Sequence, residues 1–302
     1  MSVAGERLTH MEKLMTRTIL AAGALALAFG GAAVTAAPVR ADDWSKTYQV
    51  NGRADLHVAT DDGDVIVTGS DQKQIDVHVS TQGYKISSNE VRIEESQNGN
   101  QVTVSVKLPH LNWSLWGGHH RSIKVEVHVP RDLNLDVQTS DGNVTAQDVS
   151  GSIHFNTGDG NVIASGIRGQ IRMHTGDGHI EGTNFDGSLE ADTGDGNMRI
   201  SGRFDSLELK TGDGNIDGQV GSGSKVASSW KIHSGDGHIE LRIPSDLSAD
   251  VDAHTGDGSI TVNVPLMMAG TLSHSSVHGK LNGGGQTLSI SSGDGSIRLE
   301  KL

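Results

Sequence analysis

The sequence predicts an all-β fold, a single-domain β-solenoid with coils of about 18 residues. Three observations carry that expectation. A T-G-D-G corner recurs, with the aspartate of its G-D-G at 159, 177, 195, 213, 236, 257 and 294, and the first four copies are 18 residues apart. On both sides of each corner apolar and polar residues alternate with a period of two, the mark of half-buried strands. No segment after residue 41 carries a helical period. The alternative architecture is an antiparallel meander in which each corner is a hairpin loop.

Residues 1–41 read as a signal peptide. Lys13 and Arg17 precede a small, apolar run, Ile19 to Ala37, and a small-residue site follows, so cleavage is expected near Ala41. Met11 and Met15 lie upstream of that run and are alternative starts. An uncleaved anchor is the other reading. Residues 1–41 hold four basic and two acidic side chains, leaving 20 Lys and Arg against 35 Asp and Glu, a net charge of −15. A chain this acidic is a poor match for nucleic acid or an anionic lipid surface. It has no cysteine, so disulfides, thiolate metal sites and a lipidated-cysteine anchor are excluded. No later stretch is long and apolar enough to span a membrane. The expected location is a bacterial periplasm or the cell exterior.

Residues 42–130 alternate as strands do in DLHVAT, DVIVTG, QIDVHVS and QVTVSVKL, but carry one degenerate corner, TDDGDV at Asp62. They are expected to be an irregular cap of the solenoid. Its loop PHLNWSLWGGHHRS holds Trp113 and Trp116, either a cover for the open core or a binding tip.

Residues 131–302 are the repeat proper. Six before each aspartate stand Leu135, Ile153, Ile171, Leu189, Leu207, Trp230, Val251 and Leu288. Two before it the residue is Thr or Ser. Three after it come Val144, Val162, Ile180, Met198, Ile216, Ile239, Ile260 and Ile297. If coils stack at i, i+18, Arg172 meets Glu190, Glu208 meets Lys231, and Glu181, Arg199 and Asp217 fall in one column. Such opposite-charge neighbours favour stacking over a meander, although Glu190 then lies beside Glu208. The step of 37 before Asp294 suggests a decayed corner, SSVHGKL, with His278 in the aspartate's place.

The corners admit two explanations. Calcium could bridge stacked carboxylates, as in β-roll repeats, but one carboxylate per corner is few for an ion that takes six to eight oxygens. Alternatively each carboxylate accepts backbone N–H groups of its own turn, while the glycines and Asn143, Asn161, Asn197 and Asn215 supply positive-φ backbone. The second is preferred, so no cofactor is expected.

His174, His233 and His254 share a column, and His233 and His254 are expected in adjacent coils. The chain has fifteen histidines, His119-His120 among them, but two ligands do not make a zinc site, so no metal residues are assigned. Glu190, Glu208, Asp192, Arg172, Lys231 and Lys210 are residue types that a polysaccharide-cleaving solenoid would use. Charged columns are equally the ordinary way a solenoid stays soluble, and no nucleophile or metalloprotease motif is present. No catalytic residue is assigned.

The T-G-D-G-x-I corner, the VHVPRDLNLDVQTSDGNV entry and the leader together resemble the bacterial family of candidate adhesins built from β-strand repeats, over residues 47–300. That resemblance implies an envelope or secreted β-solenoid without assigned activity or active-site residues. The expected function is a secreted or periplasmic, non-enzymatic, adhesin-like scaffold that binds an envelope protein or a glycan. The alternatives are a carbohydrate-active β-helix enzyme and a calcium-binding β-roll.

Overall fold

The computed structural model describes residues 41–108, 121–268 and 273–302. The expected signal peptide and the Trp113–His120 loop lie outside the described residues. Among the described residues there are strands and no helix, in one continuous sheet that folds back as two faces. Each coil places one strand before its corner on the first face and one after it on the second.

Parallel pairing in the expected register is the rule. Ser150–Thr157 lies between Asp132–Thr139 and Arg168–Thr175, with Ile153 beside Leu135 and Ile171. The i, i+18 step continues through Leu189 and Leu207 on this face, and through Val144, Val162, Ile180 and Met198 on the other. The apolar columns point inward and meet. Leu135, Phe155, Met173, Leu207, Trp230 and Ile290 are all at most 2% exposed. Burying each such side chain contributes roughly 1.5–3 kcal/mol. Phe204 and Trp230 meet edge-on, with ring centroids 6.5 Å apart.

Sequence order and stacking order part company at both ends. Ala54–Thr60 and Asp64–Ser70 pair parallel to Asp132–Thr139 and Val144–Gln147 on one side. On their other side lie Gln101–Lys107 and Ser122–Pro130. The first coil in sequence is thus second in space. The last coil behaves likewise: Thr287–Ser292 and Ile297–Lys301 lie between the coils 230–243 and 249–263.

Antiparallel strands close the two ends. Ala41–Gln49 pairs with Gln74–Gln82, and Arg92–Asn98 with Gln101–Lys107. Glu95 joins these edges, accepting from Lys46 and from the Tyr48 hydroxyl. Burial first, then the Glu95 charge, pushes the Tyr48 phenol above its usual range. At the far end Ser276–Leu281 runs antiparallel to Ala249–Thr255. SSVHGKL is therefore no decayed corner: His278 sits mid-strand, its Nδ1 3.1 Å from Asp252.

The corners also differ from expectation. Positive φ is absent from the T-G-D-G glycines and from Asn143, Asn161, Asn197 and Asn215. It occurs instead at the opposite turn, in Asp148, Gly166 and Asn184 and in Gly151, Gly169 and Gly187. The T-G-D-G glycines are required by close approach: a Cβ on Gly196 would stand 1.8 Å from the carbonyl oxygen of Gly178. The carboxylates do not cap the turn either. They are exposed, and the buried Thr or Ser hydroxyl caps it. The amides of Gly142, Gly160, Gly178 and Gly196 donate to Thr139, Thr157, Thr175 and Thr193 at 3.1–3.2 Å.

Candidate functional site

On the second face, strands present alternate residues to solvent because the intervening Ile180, Met198, Ile216 and Ile239 are committed to the core. Two outward columns flank each core column and form the walls of a groove of about 790 Å³. It crosses the strands at right angles and runs along the stack. One wall is His179, Asn197, Asn215, His238 and Ser296. The other is Glu181, Arg199, Asp217, Glu240 and Arg298.

The first wall is a hydrogen-bonded ladder. Each side chain accepts the backbone N–H of the residue one coil further along. Asn143 donates its backbone N–H to Asp64 at 2.9 Å, Asn161 to Asn143 at 2.9 Å, and His179 to Asn161 at 2.8 Å. Asn215 donates to Asn197 at 2.8 Å and His238 to Asn215 at 2.8 Å. His179 and His238 take part as acceptors through Nδ1, from the amides of Asn197 at 2.9 Å and Ser296 at 3.0 Å. With Nδ1 engaged as acceptor, the ring N–H of each imidazole is at Nε2. That nitrogen remains as a donor.

The second wall mixes charges of both signs, with Asp217 and Glu240 as like-charged register neighbours. Arg199 Nε is 3.8 Å from Asp217, and Arg242 Nη1 is 3.2 Å from the same carboxylate. Asp217 first, then the hydrogen bond to Glu240, holds the Arg242 guanidinium above its usual range. Three carboxylates and two guanidinium groups line this wall, and Arg242 pairs with Asp217 and Glu240 from beside it, so its charges balance opposite a wall of Asn, His and Ser. The groove offers amide, imidazole and hydroxyl donors and carboxylate acceptors at one set per coil, roughly every 4.8 Å. No Phe, Tyr or Trp side chain lines it.

The first face carries the carboxylates that the sequence singles out. Arg172 Nε is 3.0 Å from Glu190, and Asp192 lies 3.1 Å from His174 and 3.9 Å from Lys210. Glu190 and Glu208 are register neighbours, as are Glu208 and Lys231. Glu190 and Glu208 border a shallow depression of about 230 Å³ with Gln170, Arg172, Ser188 and Ser206, and Asp192 stands outside it. At 57% exposure the Glu190 side chain is bathed in water. Further along, Asp136 sits between His57 at 2.9 Å and His154 at 3.1 Å.

The expected stacking of His233 on His254 does not occur. Ser291 of the inserted coil separates them, with its hydroxyl 2.9 Å from His233 Nδ1. Among the described residues no group of three or more His, Asp or Glu is placed to hold a metal ion.

The ladder wall is what sequence reasoning missed. Its signal was available: two residues after each aspartate only Asp, Asn, His or Ser occurs, all able to accept a hydrogen bond.

A family model, Toastrack DUF4097, matches residues 53–300. Among solved structures, the chain is similar to a candidate cell adhesion protein from Clostridium sporogenes. The two are 13% identical, over 87% of this chain and 100% of that one, with a TM-score of 0.31. A candidate lipid binding protein from Parabacteroides distasonis is also 13% identical, over 85% of this chain and 96% of that one, at 0.49. A candidate adhesin from Bacteroides fragilis is 12% identical, over 86% and 97%, at 0.38. No curated protein matches the chain.

Proposed function

Starting from the premise that the chain belongs to the Toastrack DUF4097 family, we propose that it is a non-enzymatic, adhesin-like scaffold of the bacterial cell envelope, secreted or periplasmic, whose second-face groove binds a neutral glycan chain. The observation that carries this reading is the groove itself, open at the surface and lined along its length by repeating polar side chains. A pyranose ring is about as long as one coil step. A glycan laid along the stack would therefore meet a fresh pair of wall residues at each sugar. Its hydroxyls both donate and accept, which suits walls holding Glu181 and Asp217 as acceptors and Arg199, Asn215 and the imidazoles as donors. An extended peptide fits less well, because the strand backbones are already paired with their neighbours. The leader-like residues 1–41 support an extracytoplasmic home.

The experiment is affinity electrophoresis of the purified protein in gels containing soluble neutral polysaccharides. Retardation is expected, and Glu181→Ala or Arg298→Ala should weaken it by about tenfold, or about 1.4 kcal/mol, while Glu190→Ala on the other face leaves it unchanged. Binding indifferent to the groove variants, no retardation by any neutral glycan, or cleavage of the polysaccharide would sink the reading. Fractionation of cells expressing a reporter fused after residue 41 tests the location, and a cytoplasmic reporter counts against it.

A further inference from the structure

The coil 287–301 is the last part of the chain, yet it is not the end of the stack. It is wedged between two coils that precede it, parallel to both. On the first face Leu288 lies between Trp230 and Val251, and Ile290 between Ile232 and Ala253. On the second, Ile297 lies between Ile239 and Ile260, and Leu299 between Leu241 and Val262. Leu288, Ile290, Ile297 and Leu299 are at most 1% exposed, so the wedge is full core.

The two coils that flank the slot carry matching corner partners. The hydroxyl relay reads Ser292 to Gly237 at 2.9 Å, then Thr255 to Gly295 at 2.7 Å. With the wedge gone, Thr255 would find in Gly237 the same acceptor that Gly295 provides. Asp236 and Asp257 are 21 residues apart, within the spacing of coils that do stack directly, such as those of Asp213 and Asp236 at 23. During synthesis the chain completes 249–263 before 287–301 exists, so each molecule passes through a state that lacks the wedge.

The tether is a narrow turn. Asn282, Gly283 and Gly284 all take positive φ, at 45°, 91° and 89°. The turn bends round the start of Ala249–Thr255, pinned by Asn282 Nδ2 to the carbonyls of Ser245 and Leu247, both at 2.8 Å. Gly283 has nothing within 4 Å of where a Cβ would stand, so that position of the turn is unpacked.

We propose that residues 287–301 are an exchangeable element that enters the same slot in a second copy of this chain, joining two solenoids through their C-terminal ends in a reciprocal, two-fold dimer. Every contact of the wedge is kept in the exchange. Only the turn at 282–286 changes, which is the condition under which element swapping costs little. The partner is a second copy because only that copy supplies two flanking coils with this register.

The chain has no cysteine, so single cysteines report the exchange directly. His233 and Ser291 are register neighbours. His233→Cys and Ser291→Cys preparations are unfolded, mixed, refolded and oxidised, then run on a non-reducing gel. Asn156→Cys mixed with Ser291→Cys gives the collision background. Exchange predicts covalent dimer about tenfold above that background, with the dimer-to-monomer ratio rising about tenfold for each tenfold rise in refolding concentration. Deleting Gly283 and Gly284 should raise the dimer share further, since a shorter turn cannot carry the chain back round its own strand. A cysteine yield equal to background, in preparations whose melts match the parent, overturns the proposal. So does a folded deletion variant that stays monomeric; should the deletion fail to fold, the cysteine pair on the full turn decides.

Discussion

The Thr193 hydroxyl donates to the carbonyl oxygen of Gly178, one coil back, at 2.9 Å, while accepting the amide of Gly196 in its own corner at 3.2 Å. The same two bonds recur from Thr139 to Ser292, so a buried hydroxyl relay runs the length of the corners. Thr193→Val keeps the shape and strands both backbone groups. At about 1–3 kcal/mol for each buried polar group left unpaired, a loss of about 2–6 kcal/mol is expected. Thr193→Ser should be nearly neutral, since Ser234 and Ser292 make the same bonds. Urea unfolding with an unchanged slope and a lowered midpoint for the valine variant alone is the check.

Gly196 and Gly99 separate the two reasons a chain uses glycine. At Gly99 φ is +60° and the space is open, so alanine should cost only the left-handed penalty of about 1–2 kcal/mol. At Gly196 φ is ordinary, but a Cβ would sit 1.8 Å from the Gly178 carbonyl oxygen. Two coils must then part, breaking the relay as well, and a loss of about 3 kcal/mol or more is expected. Thermal melts of Gly99→Ala and Gly196→Ala should rank in that order. Equal shifts would mean that the corner can spread.

Asp177, Asp195 and Asp213 stand exposed at successive corners, each carboxylate about one coil step from the next. Repulsion at that distance is roughly 1 kcal/mol per pair in water and fades with salt. Asp195→Asn is therefore expected to raise the melting midpoint in dilute buffer and to lose that advantage at high salt. Each corner offers a single carboxylate against the six to eight oxygens that calcium takes. Excess calcium should then shift the melt no more than magnesium at equal ionic strength. A calcium-specific rise would restore the ion ladder.

Much of this architecture is legible in the sequence, and the failures share a cause. The Leu135-to-Leu288 and Val144-to-Ile297 columns give strands, faces and register, because burial repeats with the coil. Columns whose partners lie in another coil read as local. The Thr column shows in the sequence without its role, since the acceptor of Thr193 lies 15 residues away. Asn161 and Asn197 point to turn geometry, whereas each accepts from the next coil and builds the groove wall. The wedge at 287–301 has no sequence signal. Periodicity reports that a segment is a coil, and nothing in Leu288 to Leu299 distinguishes an inserted coil from a terminal one.

Asp62 and Asp141 begin the row of corner carboxylates. Burial, then the charge of Asp141 and a hydrogen bond shared with it, raises the Asp62 carboxyl above its usual range. A raised carboxyl binds its proton more tightly folded than unfolded. Its effect on stability is thus unfavourable when both groups are ionised and is relieved as pH falls through the raised value. The opposite sign holds at Glu95, which the hydrogen bond from Lys46 lowers. Its favourable contribution is present above the usual carboxylate value and is lost as pH falls through the lowered one. Acidification from neutral should therefore first relieve the Asp62 corner and only later release the edge that Glu95 holds to Ala41–Gln49. Asp62→Asn should stabilise the protein at neutral pH and remove the first effect while leaving the second. Urea midpoints of the parent and of Asp62→Asn, measured from neutral to acid pH, should converge as Asp62 in the parent protonates. Curves that run parallel across that interval would mean that the two carboxylates do not share a proton, and the repulsion would have to be assigned to Asp61 instead.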